Sequence, residues 1–182
     1  MRFMATESEL LQWKAQGLPS DQLSMQNGLI IVHSAQTPFV IDPNVQAANW
    51  LNNSLTAPPA AGEAELGEKK VSVEMVLQQE QKFVTTLELA VRFGKILIVQ
   101  EADGVLPLLY PILRKDLVRQ GPRWVVSIGS KSVDFSDNFR LFLITRNSSP
   151  DLPNELEEHE ESDDQAEFQA RTHQLRRGQS QA

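Results

Sequence analysis

The chain of 182 residues contains no cysteine, which excludes disulfides and thiolate metal sites and suits a reducing compartment. Its three histidines, His33, His159 and His173, are too scattered to give a metal-ligand spacing. No apolar run approaches the ~20 residues that a membrane span requires. The opening Met1, Arg2, Phe3, Met4, Ala5 lacks the apolar core of a secretory signal. Basic residues neither cluster nor interleave with aromatic ones, which argues against a nucleic-acid partner. Neither a nucleophile elbow nor a His-carboxylate arrangement is legible.

What is present suits a folded domain. A hydrophobic content of 41% and a charged content of 23% fit a globular protein with a core large enough to fold alone. The net charge of −7 is unevenly spread: residues 151–182 hold 9 acidic and 3 basic residues, so the preceding body is nearly neutral. That acidic segment, poor in apolar residues, is expected to be disordered.

Periodicity and punctuation divide the body. Residues 1–36 read as a helical lead-in, with a helix over Glu7–Ala15 stopped at Gly17, Leu18 and Pro19. Ser24 is expected to N-cap a second helix over 25–34, although Leu29, Ile30, Ile31 and Val32 equally allow a strand. A core follows over 37–150. It starts with a short buried strand at 37–41, a turn at 42–45 and a helix at 46–55 with Trp50 and Leu51 inward. The segment 56–68, "TAPPAAGEAELGE", reads as a surface loop insert. A strand at 70–76 and a helix at 81–93, closed by Gly94 as C-cap, come next. Residues 96–99 form a continuous apolar strand of the kind buried on both faces of a parallel sheet. An amphipathic helix is expected at 106–119, kinked or split by Pro111. A hairpin around Gly129, Ser130 and Lys131 and a buried strand at 139–145 complete the body. Trp13, Trp50 and Trp124 are expected to be packing anchors. Strands alternating with helices predict an α/β domain with a mostly parallel sheet and a ligand crevice at the carboxyl ends of its strands.

Three strand ends then become candidate site positions. The first, "DPNVQAAN" from Asp42, has the outline of a phosphate loop without its chemistry. A P-loop uses glycines to wrap backbone N–H groups around phosphates and a lysine to neutralise them. No glycine and no lysine lies between Thr37 and Trp50. Asp42 puts a carboxylate where a polyanion would lie; like charges near 4 Å repel by roughly 4 kcal/mol at a dielectric near 20. Pro43 removes a backbone donor, and Asn44 and Gln46 supply no cation. Asp42 is better explained as a helix N-cap or turn residue, and Pro43 as a first-turn proline. The second, "ILIVQEADG", has the shape of a metal-binding strand, but neutral Gln100 stands at the metal-holding place. Glu101 occupies the position of a water-activating carboxylate, or else simply ends the strand. At the third, Thr145 and Asn147 stand where polar residues would sense a terminal phosphate, or they satisfy loop backbone. Together these describe one nucleotide-type frame with the phosphate contacts missing.

At these residues the chain resembles a known family. The stretches "GLPSD", "IDPNVQA", "LELAVRFGK" and "NFRLFLITRN", in this order, are similar to the fifth AAA+ module of dynein heavy chains. The resemblance runs from about residue 10 to 150 and lapses at 56–68. It implies the large subdomain of an AAA+, P-loop NTPase-like fold in a ring of six modules. In that ring the fifth module is not expected to bind nucleotide, so no cofactor is implied for this segment, while the parent motor uses ATP and Mg. The implied role is mechanical, against neighbouring AAA+ modules, with microtubules reached only through the parent. The flavour is that of the branch serving intraflagellar transport, which implies cytoplasm, cytoskeleton and cilium. The chain lacks the family's linker, stalk and hydrolysing module, and its acidic end replaces the expected fifth core strand. It therefore reads as a fragment or truncated product with one sheet position unfilled, an aggregation-prone edge. Two other readings stay open: a module that still binds ATP, and a truncated protein whose acidic tail mediates an interaction.

Overall fold

The computed structural model describes residues 7–57 and 72–150; the expected insert, except for its first two residues, and the acidic segment lie outside them. In the first stretch α1 (Glu7–Ala15) and α2 (Gln22–His33) are followed by β1 (Phe39–Ile41) and α3 (Gln46–Thr56). Then come β2 (Val73–Leu77), α4 (Phe83–Phe93), β3 (Ile96–Gln100), a 3₁₀ turn (Pro107–Leu109) and the single helical turn α5 (Tyr110–Leu113). The body closes with β4 (Val118–Gln120), β5 (Arg123–Ile128), β6 (Lys131–Asp134) and β7 (Arg140–Thr145).

Four strands form an all-parallel sheet in the order β1-β7-β3-β2, and β4-β5-β6 form a separate antiparallel sheet. The two central strands, "ILIVQ" and "RLFLIT", are buried along nearly their whole length. Their alternation divides the core. Ile96, Ile98, Phe142 and Ile144 pack with Trp13, Leu18, Ile31, Trp50 and Leu51, so α1, α2 and α3 cover one face. Leu97, Val99, Leu141 and Leu143 point to the other face. Right-handed crossovers place α4 there, since the chain runs across the sheet in opposite senses before and after β2. Burial of the large apolar side chains on both faces is the main stabilising term, about 1.5–3 kcal/mol for each.

Local chemistry explains the element boundaries. Asp21, not Ser24, caps α2: its carboxylate accepts from the Ser24 N–H at 2.9 Å, and hydrogen bonds from Ser24 hold the Asp21 carboxyl below its usual range. The apolar run at 29–32 is helical. Just before it lies Gly28, where a Cβ would lie 3.3 Å from the Trp50 ring, so the bare backbone lets α2 press onto that indole. Trp50 in turn meets Trp13 edge to face at 5.7 Å. At the sheet's lower end Arg140 donates to the Val32 carbonyl at 2.7 Å and lies over the Phe142 ring; burial lowers its pKa.

Four expectations change. The strand expected to be buried at 37–41 is the three-residue β1, which among the described residues pairs only with β7 and has Ile41 48% exposed. The helix expected at 106–119 is only a 3₁₀ turn and one α-turn. Pro111 limits it and Lys115 turns through a positive φ of 54°, after which the chain enters β4 and extends the expected hairpin to three strands. Pro43 stands in the turn before α3, not in its first turn. Trp124 is 47% exposed, whereas Trp13 and Trp50 are buried anchors.

Gly94 ends α4 in the left-handed conformation (φ 66°), as its sequence position suggested, and a Cβ there would lie 2.4 Å from Ser136 Oγ. Gly94→Ala is therefore expected to cost about 2 kcal/mol or more, combining left-handed strain with a steric clash. Urea denaturation of the full chain measures it; a midpoint equal to that of wild type would contradict the packing described at this corner.

Candidate functional site

The carboxyl ends of β1, β3 and β7 surround a crevice of about 200 Å³ lined by Asp42, Val45, Ala48, Gln100, Glu101, Ile144, Thr145 and Arg146. Of the residues expected from sequence, Asp42, Gln100, Glu101 and Thr145 meet there. Pro43, Asn44, Gln46 and Asn147 do not line it and are exposed. Val45, Ala48, Ile144 and Arg146 were not anticipated. Arg146 had one cue, its place directly after the strand-ending Thr145, but its partner became visible only through strand order.

Asp42 organises the β1–α3 corner. It is buried (7% exposed), and its carboxylate oxygens accept from the Gln46 N–H at 3.1 Å and the Ala48 N–H at 3.2 Å. Its own N–H donates to the Thr145 carbonyl at 2.8 Å, and its carbonyl accepts from the Val45 N–H at 3.2 Å. Asp42 is thus the turn residue that the sequence allowed; the N-cap position is Val45, and Asp42 reaches the α3 amides from three residues before it. Val45 lies at φ 58°, a strained conformation for a β-branched side chain.

Across the crevice Glu101 also has a positive φ, 54°, and pairs with Arg146 Nε at 2.6 Å. That hydrogen bond, with the charge of Glu101, raises the pKa of Arg146. The Thr145 hydroxyl donates to Asp103 Oδ1 at 3.1 Å and accepts from the Asn147 N–H at 3.0 Å. The Asn147 side chain accepts from the Ser149 N–H at 3.0 Å. Thr145 and Asn147 are therefore spent on the loops after β3 and β7.

These residues do not fit Mg-ATP. A helix N-terminus attracts phosphate because its first amides point outward with partial positive charge. Here the Asp42 carboxylate takes two of those amides. Only four residues link β1 to α3, too few for the G-x-x-x-x-G-K-[ST] loop. Glu101 is neutralised by Arg146, and the volume falls below the ~300 Å³ at which ligand pockets usually begin. Among the described residues no group of three or more His, Cys, Asp or Glu side chains is placed to hold a metal ion.

A parallel sheet flanked by helices, with its crevice at the carboxyl strand ends and a turn leading into a helix at one of them, defines an AAA-type α/β module. Residues 11–160 match the family described as the ATP-binding dynein motor region. The chain belongs to that family. It is 53% identical over 152 residues to cytoplasmic dynein 2 heavy chain 1 of Mus musculus and 52% identical over 153 residues to the protein of that name in Chlamydomonas reinhardtii. Each alignment covers 84% of this chain and 3% of the relative. It is also 33% identical over 156 residues to the flagellar outer arm dynein gamma chain of Chlamydomonas reinhardtii, covering 85% of this chain and 3% of that protein. The chain thus spans a small part of the length of the relatives it matches.

Removing the Asp42 carboxylate leaves the buried Ala48 amide and the part-buried Gln46 amide without that acceptor. Asp42→Ala is expected to lower stability by about 2 kcal/mol, and Asp42→Asn, which keeps one acceptor oxygen, by less. Urea unfolding of the three proteins gives the order; equal midpoints for Asp42→Ala and wild type would remove Asp42 from the corner's energetics.

Proposed function

We propose that this chain acts as a non-catalytic, structural AAA+ segment of a dynein heavy chain, corresponding to the fifth module of the motor ring. One observation carries the reading: the carboxylate of Asp42 occupies the α3 amides on which a nucleotide phosphate would rest. The exposed positions of Asn44 and Asn147, outside the crevice lining, and the pairing of Glu101 with Arg146 support it, because these candidate groups are turned away or already paired. Its part in the parent is to pack against neighbouring AAA+ modules and pass on their rearrangements. ATP and Mg belong to other modules, and microtubules are engaged by the parent chain. The identity to cytoplasmic dynein 2 heavy chain 1 favours a parent that moves toward microtubule minus ends in intraflagellar transport, hence cytoplasm, cytoskeleton and cilium.

Equilibrium titration with a fluorescent ATP analogue and Mg²⁺ tests the central point. The expected result is no saturable binding in the micromolar range, with Asn44→Ala and Glu101→Gln indistinguishable from wild type. Micromolar binding abolished by either substitution would make the chain a nucleotide-binding module instead. In a gliding assay the purified chain is expected to leave microtubules stationary.

A further inference from the structure

The chain leaves β3 through a turn that a non-glycine residue does not favour. Glu101, the first residue after the strand, lies at φ 54°, in the left-handed region, where an L side chain crowds the following carbonyl. A residue is kept in such a conformation only where its surroundings over-determine it. Three consecutive residues at the end of β7 and just past it do so. The Ile144 carbonyl accepts from the Ala102 N–H at 3.0 Å, the Thr145 hydroxyl donates to Asp103 Oδ1 at 3.1 Å, and Arg146 Nε pairs with Glu101 at 2.6 Å. Within the turn the Asp103 N–H closes onto the Glu101 carbonyl at 3.0 Å. From the β2 side Gln78 Nε2 donates to the Gly104 carbonyl at 3.0 Å.

These ties are unequal. The Glu101–Arg146 pair is reached by water on both sides, with side chains 32% and 60% exposed, so solvent screens most of its worth. The Ala102 bond is an ordinary main-chain contact. The Thr145 hydroxyl is fully buried, and its bond to a carboxylate is charge-assisted and sheltered on the donor side. Its direction is fixed as well, because the same oxygen accepts from the Asn147 N–H at 3.0 Å. We propose that the turn 101–104 is a spring-loaded part of the crevice wall and that the Thr145–Asp103 bond is its catch. With the catch closed, Glu101 keeps its left-handed conformation and stays beside Arg146. With it open, Glu101 relaxes to negative φ, its carboxylate leaves the crevice, and the cation of Arg146 is freed at the rim. This inference deepens the structural role proposed above and rests on it: it names a part of the crevice that rearrangement of a neighbouring module can move.

The test uses the opposite preferences of glycine and alanine. At a left-handed position glycine is the more stable of the two; at negative φ alanine is, because glycine has more freedom to lose on folding. Glu101→Gly and Glu101→Ala remove the same ion pair, so the difference between them reads the backbone at position 101. Urea unfolding of the full chain compares the two in the wild-type background and in the Thr145→Val and Asp103→Ala backgrounds. The expected result is a higher midpoint for glycine in the wild-type background, and an advantage that shrinks, vanishes or reverses when either side of the catch is removed. An alanine midpoint equal to or above that of glycine in the wild-type background would mean that no strain is stored, and the proposal falls. It falls too if the glycine advantage keeps its size in both catch variants, since the turn then holds without the bond. Loss of the advantage in only one of the two variants places the catch elsewhere and overturns it equally. Where Thr145→Val yields no folded protein, Asp103→Ala, at an exposed position, decides between the same outcomes. ATP-analogue binding by wild type would sink the functional reading, whereas the order of glycine and alanine addresses the turn alone.

Discussion

The carboxylate of Asp42 against the first amides of α3 is the contact on which the crevice depends. A helix that starts at the edge of a parallel sheet has outward-pointing N–H groups that need acceptors. In nucleotide-binding members of such folds a phosphate supplies the negative charge. Here the chain supplies it from the side chain of Asp42 in the turn before the helix. The corner is tied by the chain's own carboxylate, and the strained Val45 shows that it adopts a shape it would not choose in isolation.

Retention of the frame without its chemistry has a simple energetic basis. The sheet is held by Leu97, Ile98, Val99, Phe142 and Leu143, with Trp50 and Leu51 of α3 and Leu87, Ala90 and Val91 of α4, all buried away from the crevice rim. Substitutions at the rim leave that apolar core untouched. A glycine, a lysine or a metal-holding aspartate can be absent while the layers still close. The two oppositely charged rim residues, Glu101 and Arg146, satisfy each other. The layered core therefore does not depend on the chemistry of the rim.

Much of this was legible in the sequence because it rests on short-range rules. "ILIVQ" and "RLFLIT" could be read as buried parallel strands from unbroken apolar runs, and "LELAVRFG" as a helix ended by glycine, since periodicity and capping act within a few residues. The missing glycine and lysine after Ile41 and the neutral Gln100 were equally plain. The failures lie where the competing options were close. Asp21 and Ser24 are both good caps, and the helix begins at the one whose oxygen reaches the N–H of the other. In "LLYPILRKDLVRQ" the helical pattern loses to Pro111 and to the pairing of Val118 with Val125 across a tight turn, a contact between residues on different segments.

The order of apolar runs and breakers in the chain determined the layered α/β fold, and the residue types after Ile41 determined that the glycines and lysine of a phosphate loop are missing there. Only the tertiary structure decided which of those ends stand together. Strand order puts β7 between β1 and β3, so Arg146 reaches Glu101 and Asp42 reaches Thr145. It also decided that β1, paired only with β7 among the described residues, is not a buried strand. These outcomes depend on pairing between residues tens of positions apart, and local propensity carries no record of such pairing.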